Sequence, residues 1–351
     1  MSERVVVAMS GGVDSSVAAA LLVERGVETI GVTLHLAGSD SRCCSLQDAD
    51  DARRVAERLG IRFYVANFKD RFRSEVIEPF ADAYLAGRTP IPCVACNKRF
   101  KFDYLLERAR VFGAARVASG HYARVDSDPA SGRFRLRRAA DASKDQTYFL
   151  FQLDQRQLAA LEFPLGDLTK EQVRARARAL GLATADKPES QEICFVPGGD
   201  YARVVEQVRP GSLPGEGDVV DAAGSVIGRH PGVHHFTIGQ RRGLGIAAGE
   251  RLYVTGIDAV LNRVQVGGED ALGVTSARVE RVSWIEGAPP AAGTRSSVRV
   301  RYRHEGADAA LEPGPDASVR VHFDAPVRAI APGQAAVFYA GDVVLGGGWL
   351  A

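Results

Sequence analysis

The chain has 351 residues, of which 46% are hydrophobic and 25% charged, and its 44 basic and 43 acidic side chains leave a formal net charge of +1. This length predicts two or three domains of roughly 100–200 residues. The near-zero net charge argues neither for nor against nucleic-acid binding. No basic segment followed by an apolar one opens the sequence, and no apolar run approaches the roughly 20 residues of a membrane span. We therefore expect a cytoplasmic protein without a membrane partner.

Strand-like and helix-like segments alternate up to about residue 182. Strands are predicted over residues 4–9, 29–36, 61–68 and 114–120, with helices between them, such as one over 48–59. A further helix is predicted over 169–180, where Thr169 and Gln172 fit a capping box and Gly181 follows the end. This alternation predicts a parallel sheet covered on both faces, whose ligands bind beyond the carboxyl ends of the strands.

The pattern changes from residue 197 onward, where Gly, Pro and Val dominate. Short strands are predicted at hairpin spacing in "GDVVD", "RLYVTGID", "NRVQVGG", "SVRVRYRH" and "AAVFYAGDVVLGGGWL". These segments predict one or two small all-β modules, with a break near residues 267–271.

The turn after the first strand reads Ser-Gly-Gly-Val-Asp-Ser-Ser, residues 10–16. Its glycines let the backbone approach an anion, and the following helix directs free N–H groups and its dipole at the same point. Ser10, Ser15 and Ser16 add hydroxyl donors, and Asp14 offers a carboxylate to Mg²⁺ carried by phosphates. The turn therefore predicts a phosphate site, and it lacks the Gly-Lys-Ser/Thr of a Walker loop. A ligand-free tight turn would leave these polar residues unexplained.

This turn resembles the pyrophosphate loop of enzymes that use ATP to adenylate a carbonyl or carboxyl oxygen. Five further motifs resemble the bacterial tRNA-specific 2-thiouridylase family, in the family's order. They are "PCVACNKRFKFDYLL" (92–106), "SGHYAR" (119–124), "KDQTYFL" (144–150), "SQEICFVPGGDY" (190–201) and "HHFTIGQRRGLG" (234–245). The resemblance covers nearly the whole chain. It implies an adenine nucleotide alpha hydrolase-like α/β domain over residues 1–198, a small β-rich central domain over 199–269, and a tRNA-contacting β-barrel over 270–351.

The resemblance also implies a function. The family replaces the 2-oxygen of the wobble uridine by sulfur in tRNAs for Lys, Glu and Gln, using ATP, Mg²⁺ and a sulfur-donor protein such as a cysteine desulfurase or relay. By family position, the nucleotide-binding residues are Ala8, Met9, Ser10, Gly11, Gly12, Val13, Asp14, Ser15, Leu34 and Gly120, with Asp14 also expected near the metal.

The chain has five cysteines, an odd number, in a protein too large to need disulfide staples, which favours thiol chemistry or metal binding. The resemblance implies that Cys96 is the nucleophile and Cys194 carries a persulfide, with a transient disulfide between them. Lys98 and Arg99 would favour the Cys96 thiolate. Both cysteines stand beside polar, Gly or Pro residues, which argues against small buried hydrophobes.

Two metal alternatives for the cysteines stay open. Cys93, Cys96 and Cys194 could hold an iron–sulfur cluster, which presents a free iron to hydrosulfide. Structural zinc on Cys43, Cys44, Cys93 and Cys96 is less favoured, because adjacent cysteines rarely ligate one zinc.

The predicted RNA contacts rest mainly on the resemblance. It places them on His121, Lys144, Asp145, Gln146, Arg301, Tyr302 and Gln334. In "SVRVRYRH" a strand would put Arg299, Arg301 and Arg303 on one face, with a solvated strand face as the alternative. Ile91 departs from the Asn that many relatives carry in the segment that contacts the target base.

Two other functions remain as alternatives. A different adenylating ligase of the pyrophosphate-loop superfamily would need no paired cysteines. An RNA-binding module with a dead nucleotide site would not need the intact Ser-Gly-Gly-Val-Asp-Ser-Ser turn.

Overall fold

The computed structural model describes residues 3–36, 46–189, 193–246 and 251–351. Cys43 and Cys44, and with them the zinc alternative, lie outside these ranges.

Helices and strands alternate in the first half of the chain, and strands dominate the second. The strands are β1 Arg4–Ala8, β2 Glu28–His35, β3 Arg62–Asn67, β4 Arg116–Ser119, β5 Ala123–Ser127, β6 Phe134–Arg138, β7 Leu161–Glu162, β8 Gly217–Val220, β9 Val226–His230, β10 Tyr253–Asp258, β11 Arg263–Gly267, β12 Gly273–Trp284, β13 Thr294–Arg299, β14 Ala307–Pro313, β15 Val319–Arg328, β16 Ala335–Ala340 and β17 Val343–Leu350. The α-helices are α1 Val13–Glu24, α2 Leu46–Leu59, α3 Lys69–Phe72, α4 Glu78–Leu85, α5 Pro92–Ala95, α6 Leu105–Val111, α7 Gln155–Ala160, α8 Lys170–Ala179 and α9 Tyr201–Val208. Two π-helical segments, Arg73–Ile77 and Cys96–Tyr104, join α3 to α4 and α5 to α6.

The N-terminal domain is built on a parallel sheet with the strand order β3-β2-β1-β4-β7. Successive valines of β1 point to opposite faces, so that Val6 packs into one core cluster and Val5 and Val7 into another. Both faces are therefore buried at β1 and β2, as the near-continuous apolar strands predicted, whereas the edge strand β3 is largely exposed. The predicted helix after Thr169 is also confirmed, because the side chains of Thr169 and Gln172 form a capping box.

The central domain contains a four-stranded sheet in the order β10-β11-β8-β9, with its own apolar core. The expectation of all-β structure after residue 197 is wrong for its first segment, because α9 precedes the sheet. The Asp200 side chain caps this helix by accepting a hydrogen bond from the Arg203 N–H at 3.1 Å.

The C-terminal domain is a closed, antiparallel barrel of six strands in the order β12-β15-β14-β13-β16-β17, in which β17 pairs again with β12. The β5–β6 hairpin of the N-terminal segment extends this sheet at β17. The side chain of Arg137 on β6 contacts Asp342 in the β16–β17 turn at 2.7 Å. The sequence pattern did not indicate that residues 123–138 join the barrel sheet.

The predicted strand over residues 297–304 is wrong in its second half, because β13 ends at Arg299. The guanidinium of Arg299 folds back and donates hydrogen bonds to the carbonyl oxygens of Tyr302 at 2.5 Å and His304 at 2.7 Å. Arg301 and Tyr302 consequently lie in a turn, and the three arginines do not share one strand face.

The N-terminal domain and the barrel share one apolar core cluster. Val337 and Tyr339 of β16 belong to the same cluster as Phe72 and Phe151. The Tyr148 hydroxyl also donates a hydrogen bond to the Ala335 carbonyl oxygen at 2.9 Å. Within the four described ranges, no helix combines the length and apolar character needed to cross a membrane.

Candidate active site

The Ser-Gly-Gly turn lies between β1 and α1, at the carboxyl end of the central strand of the parallel sheet. Gly12 is the N-cap of α1, and its carbonyl oxygen accepts hydrogen bonds from the hydroxyls of Ser15 at 3.1 Å and Ser16 at 2.8 Å. The Ser15 hydroxyl also accepts a hydrogen bond from the Ser10 N–H at 3.1 Å. The serines therefore hold the shape of the turn at the helix N-terminus, where an anion is favoured.

Gly11 and Gly120 are required by close packing around the turn. Gly11 has φ +70°, and a Cβ there would lie 2.1 Å from the carbonyl oxygen of Asp48 on α2. A Cβ on Gly120, just after β4, would lie 2.6 Å from the Ser15 nitrogen. The carboxyl ends of β1 and β4 and the start of α1 thus meet within van der Waals contact.

Asp14 is held by two side chains that the sequence analysis did not single out. Its carboxylate accepts hydrogen bonds from the Lys170 ammonium at 2.7 and 2.8 Å and from the Tyr122 hydroxyl at 2.9 Å. Burial and the charge of Asp14 raise the pKa of Tyr122, which therefore stays a donor. Asp14 shares the Lys170 ammonium with Glu189, so direct ligation of Mg²⁺ by this carboxylate would require it to give up part of that ion pair.

A second lysine lies on the other side of the turn. Lys187 donates hydrogen bonds to the Gly11 carbonyl oxygen at 3.0 Å and to the carboxylates of Asp48 and Asp51 at 2.7 Å each. Burial opposes its charge, but the hydrogen bonds that it donates to both aspartates prevail and raise its pKa. The sequence contains only six lysines among 44 basic residues, and that scarcity was the available signal for Lys170 and Lys187.

Lys144 and Lys170 share Glu189 as a partner. The two ammonium groups lie 2.8 and 3.2 Å from its carboxylate oxygens. Burial opposes the charge of Glu189, but the Lys144 hydrogen bond and the Lys170 charge outweigh it and lower its pKa. Glu189 therefore links the "KDQ" motif to the side chain that holds Asp14.

The apolar members of the predicted nucleotide set lie beneath the turn. Met9 and Leu34 are buried, and Val13 is buried at the first position of α1, while Ala8 ends β1 and is half-buried. The Met9 carbonyl oxygen accepts a hydrogen bond from the Thr33 hydroxyl at 2.6 Å. These residues fix the turn on the sheet.

Cys93 and Cys96 lie one helical turn apart, on α5 and the π-helical segment that continues it. Cys96 is only 8% exposed and belongs to the core cluster shared with the barrel, so the sequence argument against a buried position is wrong for this residue. Cys194 is half-buried and packs against the same cluster.

Aromatic contacts connect the two cysteine segments. Phe195 packs edge-on against Phe72, with ring centroids 5.8 Å apart. Phe72 in turn packs against Phe100 at 5.6 Å, one helical turn beyond Cys96. Segments almost 100 residues apart in the sequence are therefore anchored on one aromatic cluster.

His121 and Asp145 are buried among the predicted RNA-contacting residues. His121 packs against Phe102 and Phe163, and its Nδ1 hydrogen-bonds the Ser119 hydroxyl at 2.8 Å. Burial, aided by the charge of Lys101, holds its pKa well below the usual value, so the ring is neutral. Asp145 forms a buried ion pair with Arg299 at 3.0 Å.

The other predicted RNA-contacting residues lie in the "KDQ" segment and on the barrel. Gln146 accepts a hydrogen bond from the Tyr122 N–H at 2.9 Å. Tyr302 packs on Phe149 with ring centroids 4.5 Å apart, and Arg301 beside it is exposed. Gln334 donates a hydrogen bond to the Thr89 carbonyl oxygen at 3.0 Å, which ties the barrel to the segment before Cys93.

Comparisons with known proteins agree with this three-part arrangement. The family model described as "tRNA methyl transferase HUP domain" matches residues 3–198, the "tRNA methyl transferase PRC-barrel domain" matches 205–268, and the "Aminomethyltransferase beta-barrel domain" matches 274–350. The tRNA-specific 2-thiouridylase MnmA of Acidobacterium capsulatum is 51% identical, with 99% of each chain covered. The chain belongs to the tRNA-specific 2-thiouridylase family.

Other 2-thiouridylases are similar to the chain to the same degree. The MnmA of Solibacter usitatus is also 51% identical over 99% of both chains, and that of Rhodospirillum rubrum is 50% identical over 99% of this chain and 96% of its own. Among solved structures, NMN synthetase from Francisella tularensis is 21% identical and covers 60% of this chain and 78% of its own, with a TM-score of 0.36. A score this low supports no argument about function.

Proposed function

We propose that this protein is an ATP-dependent tRNA sulfurtransferase that forms 2-thiouridine at the wobble position. Full-length membership of the 2-thiouridylase family carries the proposal. The expected isoacceptors are those for Lys, Glu and Gln, and the expected sulfur source is a cysteine desulfurase or a relay protein, acting in the cytoplasm. The contacts around the Ser-Gly-Gly turn support the proposed ATP site, and the two cysteine segments support the proposed sulfur transfer.

The pyrophosphate-loop residues are proposed to bind ATP. Ser10, Gly11, Gly12 and Ser15 would surround the phosphates at the start of α1, while Ala8, Met9, Val13, Leu34 and Gly120 would shape the floor and wall of the site. Lys170 and Lys187 are proposed to offset part of the negative charge of Asp14, Asp48 and Asp51 beside the turn, which reduces the repulsion that the pyrophosphate meets there. Mg²⁺ is proposed to enter with the phosphates, and Asp14 to orient Lys170 rather than to ligate the ion.

Sulfur transfer is proposed to use both cysteines. The uridine O2 attacks the α-phosphorus of ATP, and the bond to pyrophosphate breaks. The terminal sulfur of a Cys194 persulfide then attacks C2, and AMP leaves with the original oxygen. Finally the Cys96 thiolate attacks the Sγ of Cys194, which breaks the sulfur–sulfur bond, releases 2-thiouridine and leaves a Cys96–Cys194 disulfide. Two electrons from a thiol reductant restore the dithiol.

The tRNA is proposed to lie across the joint between the N-terminal domain and the barrel. Lys144, Arg301 and Gln334 would meet backbone or base groups, and Tyr302 offers a ring on which an unpaired base can stack. His121 and Gln146 are proposed to shape the pocket for the target uridine. Because Asp145 is buried against Arg299, its proposed role is to hold the turn that contains Arg301 and Tyr302.

An iron–sulfur route is the competing mechanism. The one-turn spacing of Cys93 and Cys96 on a helix suits two ligands of one cluster, and Cys194, which packs against the same apolar core, is proposed as the third. A cluster there would supply a free iron site that binds hydrosulfide. In this route Cys93 is as necessary as the other two cysteines.

Mass spectrometry of tRNA nucleosides tests the proposal. Anaerobically purified protein is incubated with ATP, Mg²⁺, a sulfur source and tRNA that lacks thiouridine. We expect 2-thiouridine from the wild type, none from C96A or C194A, and near-normal amounts from the matched control C93A. Loss of activity in C93A together with protein-bound iron would replace the persulfide route by the cluster route. Absence of 2-thiouridine with the wild type would contradict the assignment.

A further inference from the structure

Three potential metal ligands meet in the central domain, between α9 and the 3-10 turn that separates β9 from β10. Glu206 lies in the last turn of α9, and His234 and His235 lie in the 3-10 turn Val233–His235. One ligand atom from each residue lies within 4.8 Å of the other two. These residues belong to none of the sites proposed above for ATP, sulfur or tRNA.

The distances in this cluster are longer than hydrogen bonds. The Nε2 atoms of His234 and His235 lie 3.6 and 3.4 Å from the same Glu206 carboxylate oxygen. A hydrogen bond between these atom types would be about 2.7–3.2 Å long. Metal–ligand bonds of about 2.0–2.1 Å in a tetrahedron place neighbouring ligand atoms about 3.3 Å apart. The two distances from His Nε2 to the Glu206 oxygen are therefore closer to the spacing of ligand atoms around a tetrahedral metal ion than to the length of a hydrogen bond.

His234 supplies an independent observation. Its side chain is only 2% exposed, and neither ring nitrogen has a hydrogen-bond partner in the part of the chain that the structure describes. A buried polar group without a partner costs free energy, and such groups in native proteins call for an explanation. Its ring lies beside that of His235, with centroids 4.3 Å apart, and the Nε2 atoms of both rings lie near the same carboxylate oxygen of Glu206.

We propose that Glu206, His234 and His235 bind a divalent transition-metal ion of the Zn²⁺ type. Two imidazoles and one carboxylate are a ligand set that such ions accept, with water as the fourth ligand. The Glu206 side chain is 42% exposed, so an ion reaches the site from solvent.

The bound ion would fasten α9 to the 3-10 turn. Tyr201, on the same helix as Glu206, already donates a hydrogen bond to the His235 carbonyl oxygen at 2.9 Å and stacks on Tyr84 of α4 at 4.5 Å. A metal cross-link at the other end of α9 would therefore stabilise the joint between the central and N-terminal domains.

Metal titration of the full-length protein tests the site. Chelator-treated wild type, E206Q and H235A are titrated with Zn²⁺ by calorimetry and with Co²⁺ by visible absorption. The cysteines are a competing site, but Co²⁺ bound to thiolates shows sulfur charge-transfer bands, which a His/His/Glu site lacks. The matched control is H322A, because His322 and Glu312 form an exposed His–Glu pair on the barrel at 3.0 Å.

We expect one equivalent of metal without sulfur bands in wild type and H322A, and an affinity at least about tenfold weaker in E206Q and H235A. The ion should also raise the melting temperature of wild type and H322A but not of E206Q. E206Q replaces a partly exposed side chain by one of the same size, so we expect it to keep the fold. Equal metal affinity in all four proteins, or no sulfur-free equivalent in the wild type, would overturn the proposal.

Discussion

At the scale of single residues, the shape of the Ser-Gly-Gly turn depends on packing as much as on the ligand chemistry proposed for it. Gly11 is suited to a phosphate loop by its lack of a side chain, and the structure adds a second reason. The backbone of α2 comes so close that a Cβ would meet the Asp48 carbonyl oxygen. The position of α2 is therefore coupled to the shape of the loop.

Gly11→Ala and Gly26→Ala separate these two causes. Both glycines have left-handed backbones, with φ of +70° and +75°, but a Cβ on Gly26 meets nothing within 4 Å. We expect Gly26→Ala to lower the free energy of unfolding by about 1–2 kcal/mol through backbone strain. Gly11→Ala should lower the free energy of unfolding by about 1–3 kcal/mol more through overpacking, and it should also weaken ATP binding. Urea denaturation and nucleotide titration measure both effects, and equal losses in the two variants would refute the packing argument.

Asp145→Asn tests whether this residue supports the fold or contacts tRNA. The change leaves the Arg299 charge buried without its partner, so we expect the free energy of unfolding to fall by about 3–5 kcal/mol. Asp324→Asn breaks the exposed pair with Arg295 and should remain close to wild type. Chemical denaturation gives the stabilities. A stable Asp145→Asn protein with weakened tRNA binding would indicate a direct contact instead.

At the scale of secondary-structure elements, the β5–β6 hairpin is held by a network of charges. Asp126 on β5 accepts hydrogen bonds from Arg135 at 2.8 Å and Arg137 at 2.8 Å, both on β6. Arg137 also reaches Asp342, so the same side chains link the hairpin to the barrel.

This network makes the hairpin sensitive to acid. The hydrogen bond from Arg135, opposed by burial and aided by Arg137, lowers the pKa of Asp126 below its ordinary value of 3.8. Because the folded pKa is lowered, the stabilisation is complete above the ordinary pKa of 3.8 and is lost as the pH falls through the folded pKa. We expect Asp126→Asn to be less stable than wild type at neutral pH and to lose less further stability on acidification.

Urea midpoints at neutral pH and below 3.8 measure this difference. Asp167→Asn is the control, because its side chain is 83% exposed and lies 3.7 Å from Arg124. It should follow the wild-type curve. If the Asp126→Asn curve also ran parallel to the wild type, the network would not contribute to the acid dependence.

Sequence patterns revealed elements whose causes are local. The apolar strands of the parallel sheet and the capping box at Thr169 are visible in short windows, so both were predicted. The pairing of β6 with β17 depends on a partner roughly 200 residues away, which no local pattern contains. The early end of β13 accompanies the hydrogen bonds from the Arg299 guanidinium to the carbonyl oxygens of Tyr302 and His304, which the alternating pattern does not contain. Lys170 and Lys187 come beside the turn only when α8 and the following loop fold back onto α1.

At the scale of the whole molecule, the domains differ in how they share cores. The barrel has a cluster of its own and shares another with the N-terminal domain and with α9 of the central domain, whereas the sheet of the central domain packs on a separate cluster. Domains that share a buried core unfold cooperatively. The N-terminal domain and the barrel should therefore unfold together, although separate family models match them.

Calorimetry of three core variants tests this coupling. Leu150→Ala in the shared cluster and Leu311→Ala inside the barrel should each cost about 2–5 kcal/mol and shift the same heat-capacity peak. Val254→Ala in the central domain should shift another. The coupling is absent if Leu311→Ala moves a peak that Leu150→Ala leaves in place.

The hairpin that completes the barrel sheet also constrains synthesis on the ribosome. Its β6 strand emerges roughly 200 residues before β17, which at about 5–20 residues per second leaves the strand edge without its neighbour for about 10–40 seconds. A bare strand edge invites pairing with other chains, and charged side chains discourage it. We expect Arg135 and Arg137 to keep this unpaired edge soluble while the rest of the protein is made.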